Sequence, residues 1–464
     1  MSKAIELAVV GHTNAGKTSL LRTLTRRIDF GEVSDRPGTT RDVKKLPLTM
    51  NGNEVIYFLD TPGLEDAPSL LEHFEGMDAS YSCAQKISAF ILGPLAKGDF
   101  EQEAKVLRCM RDVDAALLVI DTREIPLPKF SDEIEILRMC AKPILPVLNF
   151  VDHPNSKEAA WLELCAIHGV HGRVRFETVA PMHDAENNLY RDLGGLLPDR
   201  REKLQALTEF LAAERVDRHE SSLRLVGELV LSLAACREMI DSKIFSDVTA
   251  RSKSIQSFQD EITLRSRQGL KSMLELHGFD TNSAEAALLP KLTDRWGADL
   301  FNPDTLKQAG KRMGIGVIAG SAAGLAADAA LAGLSLGAGL SAGAALGGVL
   351  SQGRLGSKLL NKLRGRHELS LNDGALLLLV RQHLSMLIAL EKRGHADQLV
   401  LQSPRLITIP EKEEDEFLDV VKPARAYPEW AFAQELNAKL RKKRDLQNEI
   451  LGRLFKRLLN VSKH

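Results

Sequence analysis

The chain has 464 residues, and its 61 lysine and arginine residues nearly balance 62 aspartate and glutamate residues, for a formal net charge of −1. This balance argues against a general nucleic-acid binder, and an aromatic content of 5% argues against base stacking as the main mode of binding. The length predicts two or three domains, with an α/β front part and a helical back part.

Cysteine usage and the start of the chain bear on the cellular compartment. The five cysteines lie far apart, without a C-x-x-C pair, so we expect reduced thiols and neither a disulfide framework nor a zinc site. The first apolar run begins at residue 5, so we expect no signal or transit peptide before it. The sequence therefore predicts a cytoplasmic protein.

The first predicted element is an apolar strand from Ile5 to Val10, followed by the sequence GHTNAGKT and a helical segment. This is G-x-x-x-x-G-K-[ST] between a strand and a helix, and its glycines let backbone N–H groups surround a pyrophosphate. Lys17 is expected beside the β- and γ-phosphates, and the Thr18 hydroxyl in the shell of a Mg²⁺ ion. We therefore predict a nucleoside triphosphate site formed by Gly11, Asn14, Ala15, Gly16, Lys17, Thr18 and Ser19.

A polar, turn-rich segment, residues 31–43, follows the first helix and contains the sequence PGTTRD. A hydroxyl group in such a loop can bind Mg²⁺ and sense whether a γ-phosphate is present. Thr40 is the predicted metal-binding and catalytic residue here, with Thr39 as the alternative. The position predicts a first switch loop.

Two strands are predicted next, Leu46 to Thr49 and Val55 to Leu59, joined by the turn Asn51-Gly52-Asn53. The second strand ends in Asp60-Thr61-Pro62-Gly63. A carboxylate at a strand end, followed by a glycine N–H that can meet a γ-phosphate, is typical of the second switch. We expect Asp60 to bind Mg²⁺ through water and Gly63 to be the pivot.

Apolar runs at 115–120 and 144–148 predict buried parallel strands. The second run leads into Asn149-Phe150-Val151-Asp152, which is close to N-K-x-D. We expect Asp152 to accept hydrogen bonds from guanine N1–H and the exocyclic amine, which adenine cannot supply. Asn149 is expected to tie this loop to the phosphate loop, and Ala180 to offer a backbone N–H to the base. Phe150 departs from the pattern, where a lysine normally covers the purine.

Together, GHTNAGKTS, PGTTRD and DTPGL resemble the TRAFAC-class GTPases of the Era/TrmE (MnmE) type over residues 1–180. The resemblance implies GTP and GDP as ligands, Mg²⁺, and hydrolysis activated by K⁺ near Asn14 when two G domains meet. The other interpretation of Asn14 is an amide that braces its loop. Leu64 matches the apolar residue that the family has where Ras-like proteins carry glutamine.

In MnmE a glutamate of the second switch orients the attacking water, and counting from Gly63 assigns this role to Glu72. Counting back from the next strand instead indicates the group Asp99, Glu101 and Glu103, because the chain has an insertion around residues 65–100. A third interpretation of Glu72 is a solvated carboxylate on a helix face. The apolar segment 87–92 in the insertion predicts either a docking element or a helix packed on the G domain.

The predicted domains are a P-loop GTPase domain, 1–198, with a mostly parallel sheet and helices on both faces, and an all-α domain, 199–464. Helical periodicity over Arg200–Phe245 and Ile255–Leu276 predicts a bundle or a paired stalk. The segment Glu411–Glu416 is expected to be an acidic loop.

Residues 313–350 contain 10 glycines and 12 alanines, with glycines recurring every four positions. Small residues at this spacing let two helix backbones approach closely, so we predict a helical hairpin with its join near Asp328–Gly337. Basic residues flank the segment on both sides, which favours a hairpin whose two ends face the cytoplasm. Two interpretations stand: a hairpin that engages a membrane, and one packed within a soluble domain.

The last predicted helix, Glu429–Leu459, is basic and amphipathic. Such a helix could lie on anionic lipid, bind RNA, pair with another helix or cover the surface of the bundle. The leading hypothesis is a bacterial GTP-hydrolysing switch whose C-terminal half engages a membrane or membrane protein, in the cytoplasm or at the inner membrane. The alternatives are a ribosome- or RNA-associated GTPase of Era type and a dynamin-like protein that remodels lipid.

Overall fold

The structure is a computed structural model that describes residues 3–26, 43–177, 184–279, 334–336, 366–392, 406–432 and 436–461. These residues form two compact units, and the chain passes from the first to the second between Val216 and Asp217. This division falls inside one long helix, and the boundary that we expect at 198/199 stays a prediction.

The first unit contains a six-stranded sheet in the order β2-β3-β1-β4-β5-β6. Only β2 runs antiparallel, through a hairpin whose turn residues Asn51 and Gly52 have positive φ angles. The predicted strands are confirmed. Their bounds are β1 Ile5–Val10, β2 Lys44–Met50, β3 Asn53–Asp60, β4 Ala115–Asp121, β5 Ile144–Asn149 and β6 Val174–Arg175.

Helices cover both faces of this sheet, which explains why every residue of β4 and β5 is buried. One core lies under α2 to α6, and the other under α1, α7 and the start of α8. This arrangement is the predicted P-loop fold. The helices are α1 Lys17–Thr25, α2 Ala67–Glu75, α3 Cys83–Leu92, α4 Glu101–Asp112, α5 Pro128–Met139, α6 Glu158–Ile167, α7 Ala185–Leu196 and α8 Arg201–Ala235.

The inserted segment folds into α3 and a turn that leads to α4. Ser82 and Gln85 form a capping box that starts α3. The apolar face of α3 is buried, and its Phe90 ring meets the edge of the Phe74 ring of α2 at 5.5 Å. The interpretation of segment 87–92 as a helix packed on the G domain is therefore confirmed.

The second unit is mainly helical, as predicted, and it also contains a small sheet in the order β7-β9-β8 that the sequence did not predict. The helix expected over 200–245 ends at Ala235, because the next residues pair with β9 as a strand. The elements are β7 Arg237–Asp241, α9 Ser242–Ser246, α10 Val248–Leu276, β8 Leu334–Leu336, β9 Arg366–Leu371, α11 Asp373–Lys392, α12 Glu411–Val421 and α13 Ala438–Val461.

Of the Gly/Ala-rich segment 313–350, only 334–336 belongs to the described residues. These three residues form β8 and lie within the predicted join of the hairpin. The rest of the segment lies outside the described residues, so both interpretations of the hairpin remain predictions.

Within the described ranges, one helix is long and apolar enough to cross a membrane, Asp373–Glu391 of α11. Most of it is buried inside the unit, including His383, which is fully buried, and Arg381, which pairs with Glu414 of α12. Burial on all sides is typical of a core helix.

The acidic segment 411–416 is not a loop but the first turns of α12, a correction that follows from the preference of carboxylates for helix N-termini. The basic helix α13 packs its apolar residues, among them Leu451, Leu454 and Leu458, into the unit. Leu446 and Ile450 remain exposed between basic side chains. Helix α13 is therefore a surface helix of the bundle with a charged outer face.

Candidate functional site

The phosphate loop follows β1 at the carboxyl edge of the sheet, where β3 and β4 flank it. Gly11 has a φ of 134°, and a Cβ atom there would lie 2.3 Å from the carbonyl oxygen of Val119 in β4. Gly16 has a φ of 97° and immediately precedes α1. Because only glycine fits these conformations, both residues are required for the loop to wrap an anion at the N-terminus of α1.

Lys17 crosses the mouth of this loop. Its ammonium group donates hydrogen bonds to the carbonyl oxygens of Gly11 and His12, both at 2.9 Å. Burial lowers the pKa of Lys17, while the charges of Asp60 and Glu133 oppose this effect. A buried cation whose hydrogen bonds within the described residues go to neutral carbonyl groups is well placed to pair with phosphate oxygens.

Asp60 ends β3 beside the phosphate loop and is 1% exposed. Its Oδ2 accepts a hydrogen bond from the Thr18 hydroxyl at 3.1 Å, and its Oδ1 has no hydrogen-bond partner among the described residues. Burial raises the pKa of Asp60, and the Lys17 charge opposes this. A buried carboxylate oxygen without a partner, next to a hydroxyl group, fits a hydrated Mg²⁺ ion.

The loop after β5 is tied to the phosphate loop. The fully buried Asn149 donates from Nδ2 to the carbonyl oxygen of Ala15 at 3.1 Å, so the predicted tie is present. Its Oδ1 accepts from the backbone N–H of Phe150 at 3.0 Å. Glu177 accepts from the backbone N–H of Asp152 at 3.0 Å, which leaves the exposed Asp152 carboxylate at the end of a braced loop.

Phe150 has a φ of 59° and packs against a side chain that the sequence analysis missed. The guanidinium carbon of Arg123 lies 3.6 Å from the centre of the Phe150 ring. Asp121 at the end of β4 holds Arg123 through a bidentate pair, with its shortest contact 2.6 Å. Phe150, the residue at the lysine position of N-K-x-D, is thus stacked against a cation supplied by another loop. Arg123 lies two residues after β4, a buried strand that neighbours β5, and this position is the feature of the sequence that could have identified it.

A second missed group braces the phosphate loop from α5. His12 Nδ1 lies 2.8 Å from the carboxylate of Glu133, which is 4% exposed, and His12 Nε2 lies 3.1 Å from the ammonium group of Lys129. The His12 ring also meets the edge of Phe130 at 5.0 Å. The second residue of the phosphate motif is therefore fixed by side chains far away in the sequence.

The remaining predicted site residues divide into three groups. Asn14 is exposed with a φ of 66°, and its amide makes no hydrogen bond within the described part of the chain. Gly63 lies against the phosphate loop, whereas Glu72 is an exposed residue of α2. The residues outside the described ranges are Thr39, Thr40 and Ala180.

Comparison with known proteins matches two families along the chain. Residues 6–150 match the family described as 50S ribosome-binding GTPase. Residues 165–453, more than half of the chain, match the family described as a domain of unknown function, DUF3482. The chain belongs to the DUF3482 family. It joins this domain to an N-terminal GTPase domain of the TRAFAC class, as the resemblance implied.

Individual relatives match the N-terminal part of this DUF3482 protein. GTPase Der of Nitratiruptor sp. is 26% identical over 156 residues, 34% of this chain and 27% of that protein. The tRNA modification GTPase MnmE of Mesorhizobium japonicum is 34% identical over 117 residues, 24% of this chain and 26% of that protein. The chain thus spans about a quarter of the length of these curated relatives.

Solved structures resemble part of the chain. A crystal structure of Era in complex with MgGDPNP and part of 16S ribosomal RNA has 21% sequence identity and a TM-score of 0.27, covering 38% of this chain and 52% of that one. The G domain of the T. maritima FeoB iron transporter has 23% identity and a TM-score of 0.24, covering 44% of this chain and 98% of that one.

Proposed function

We propose that the protein is a molecular switch that binds GTP and hydrolyses it to GDP and phosphate. The observation that carries this proposal is the convergence of two groups at one sheet edge. Lys17, Thr18 and Asp60 form a phosphate and metal cradle, and the hydrogen bond from Asn149 to Ala15 joins the Asp152 loop to it. That tie sets the spacing between a base-binding carboxylate and the phosphates.

The chemistry is attack of water on the γ-phosphate, in line with the leaving oxygen. Lys17 neutralises charge that develops on the phosphate oxygens, and Gly63 offers its N–H to the γ-phosphate. Thr18, Thr40 and Asp60 would hold Mg²⁺, which supplies positive charge at the same oxygens. Glu72, an exposed residue of α2, remains the proposed residue that orients the attacking water.

We further propose that K⁺ bound at Asn14 supplies the charge that an arginine supplies in other GTPases, and that pairing of two G domains completes this site. The left-handed backbone and the exposed amide of Asn14 support the proposal. Hydrolysis in K⁺ is expected to exceed hydrolysis in Na⁺ by at least about tenfold, a small part of the ~10³–10⁵ that an arginine finger contributes.

We test both proposals by measuring phosphate release in matched K⁺ and Na⁺ buffers. A range of protein concentrations tests the pairing of two G domains. Asn14→Ala should remove the difference between the two ions, whereas Asn53→Ala, in the distant β2–β3 turn, should preserve it. Equal rates in both ions for the unsubstituted protein would refute the role of K⁺. A turnover rate per molecule that does not change with protein concentration would refute the role of pairing.

For the C-terminal half we propose engagement of the inner membrane or of a protein within it. The support is the composition of 313–350, whose small-residue spacing suits helix–helix contact in lipid, and the basic residues on both flanks. The protein would then be distributed between the cytoplasm and the membrane surface. The second candidate function is association with RNA or the ribosome, favoured by the family description and by the exposed basic face of α13.

Flotation with anionic liposomes and sedimentation with ribosomes, each with GTP and with GDP, separate these functions. We expect the full chain to float and a variant lacking 313–350 to remain in solution while still binding GTP, which shows that its G domain is folded. Flotation that survives the deletion, or recovery with ribosomes alone, would contradict the membrane proposal. Lipid-stimulated hydrolysis that rises steeply with protein concentration would instead indicate a dynamin-like protein.

A further inference from the structure

Glu103, in the first turn of α4, is a buried carboxylate that contacts the second switch. Glu103 is 2% exposed. Its Oε1 accepts hydrogen bonds from the backbone N–H groups of Glu65 at 2.8 Å and Asp66 at 2.9 Å. These two residues follow the segment Asp60–Leu64 directly, so Glu103 holds the far end of the switch.

A carboxylate is costly to bury unless hydrogen bonds compensate for the water it loses. Glu103 meets this condition through the two switch N–H groups and through its place in the first turn of α4, where the helix dipole favours a negative charge. Asp66 in turn caps α2 by accepting from the backbone N–H of Ser69 at 3.2 Å. The contact therefore fixes the residues that connect the switch to α2.

The near end of the switch is also fixed. Thr61 donates from its hydroxyl to the carbonyl oxygen of Val9 in β1 at 2.7 Å. Between this anchor and Glu65 lie only Pro62, Gly63 and Leu64, and Leu64 is 4% exposed in the core. Gly63 packs so closely on the phosphate loop that an added Cβ atom would lie 2.7 Å from the Thr13 hydroxyl. The pivot glycine therefore belongs to a short span that is held at both ends.

We propose that Glu103 is a positioning residue that holds Gly63 where its N–H meets the γ-phosphate, and so couples α4 to the nucleotide state. This inference rests on the proposed GTP switch and goes beyond it by assigning a role to α4. The two backbone N–H groups engage Oε1 of Glu103, so this residue acts through the switch backbone rather than on the reacting atoms. GDP lacks the γ-phosphate, so this coupling affects the affinity for GTP and leaves the affinity for GDP unchanged.

The test compares dissociation constants for a non-hydrolysable GTP analogue and for GDP by direct titration of the full chain with Mg²⁺. Glu103→Ala is expected to weaken binding of the GTP analogue by about tenfold or more, and to change GDP binding by less than about twofold, since two bonds to a charged acceptor are lost. Glu103→Gln should lie between this variant and the unsubstituted protein, because an amide oxygen accepts both bonds without the charge. Asp112→Asn, an exposed carboxylate at the end of the same helix that pairs with Arg111, is the matched control.

An equal loss of affinity for both nucleotides in Glu103→Gln would show a merely structural role and overturn the inference, as would unchanged affinities for both. Thermal unfolding of each variant identifies a folding defect, and Glu103→Gln decides the question if Glu103→Ala does not fold. Failure of the proposed function itself gives a different result, since the unsubstituted chain would then not bind the GTP analogue.

Discussion

The Asp152→Asn variant is expected to bind GTP about 100-fold or more weakly and to prefer xanthosine triphosphate. A carboxylate accepts from both guanine N1–H and the exocyclic amine, and a site built for such donors strongly rejects an imperfect partner. Xanthine carries a carbonyl group in place of that amine, and the amide of asparagine can donate to it. Competitive titration with the two triphosphates in Mg²⁺ measures the change.

Asp112→Asn is the matched control for this change, because Asp112 is an exposed carboxylate at the end of α4 in the same unit. Its preference for GTP should equal that of the unsubstituted protein. The backbone bond from Asp152 to Glu177 does not involve the substituted side chain, so the loop should keep its shape. Retention of GTP preference by Asp152→Asn would show that this carboxylate does not face the base.

Lys17→Met is expected to reduce GTP affinity by at least about 100-fold and to abolish measurable hydrolysis. The ammonium group is the buried cation that crosses the phosphate loop, and methionine fills similar volume without the charge. Without the Lys17 ammonium group, the phosphate oxygens lose several charge-assisted hydrogen bonds. Filter binding and phosphate release on the same preparation separate the loss of binding from the loss of turnover.

Lys97→Met is the control for Lys17→Met, since Lys97 is exposed in the turn between α3 and α4. This variant should bind and hydrolyse GTP normally. Removal of the buried Lys17 charge should not unfold the protein, because burial already lowers the pKa of this group and its hydrogen-bond acceptors are backbone carbonyls of its own loop. Undiminished hydrolysis by Lys17→Met would place the triphosphate elsewhere.

The placement of Lys17, Thr18 and Asp60 around the phosphate loop could be predicted from the sequence because local sequence determines it. Gly11 lies too close to β4 for a side chain, Gly16 has a positive φ that favours glycine, and Asp60 ends a strand that pairs with the strand before the phosphate loop. Parallel strands bring their carboxyl ends to one edge, so a motif at the end of each strand predicts a common site. The sheet could also be predicted, because the continuous apolar runs of β4 and β5 are typical of parallel strands buried on both faces.

The contacts that could not be predicted join residues far apart in the sequence. Glu103 binds N–H groups 37 and 38 positions away, and His12 meets Glu133 across 121 positions. Counting along the chain placed Glu103 among candidates for orienting water, whereas folding directs its carboxylate to the backbone of the switch. The strand β7 was missed because Arg237–Asp241 shows its pairing only through β9, more than 100 residues later.

The central claim is that the N-terminal unit selects a guanine nucleotide through a loop tied to its phosphate cradle. Isothermal titration of the full chain with GTP and with ATP, at equal Mg²⁺ and K⁺ concentrations, tests this claim most directly. We expect GTP to bind at least about 100-fold more tightly, because adenine offers no donors to the Asp152 carboxylate. Equal affinities for GTP and ATP would contradict the account.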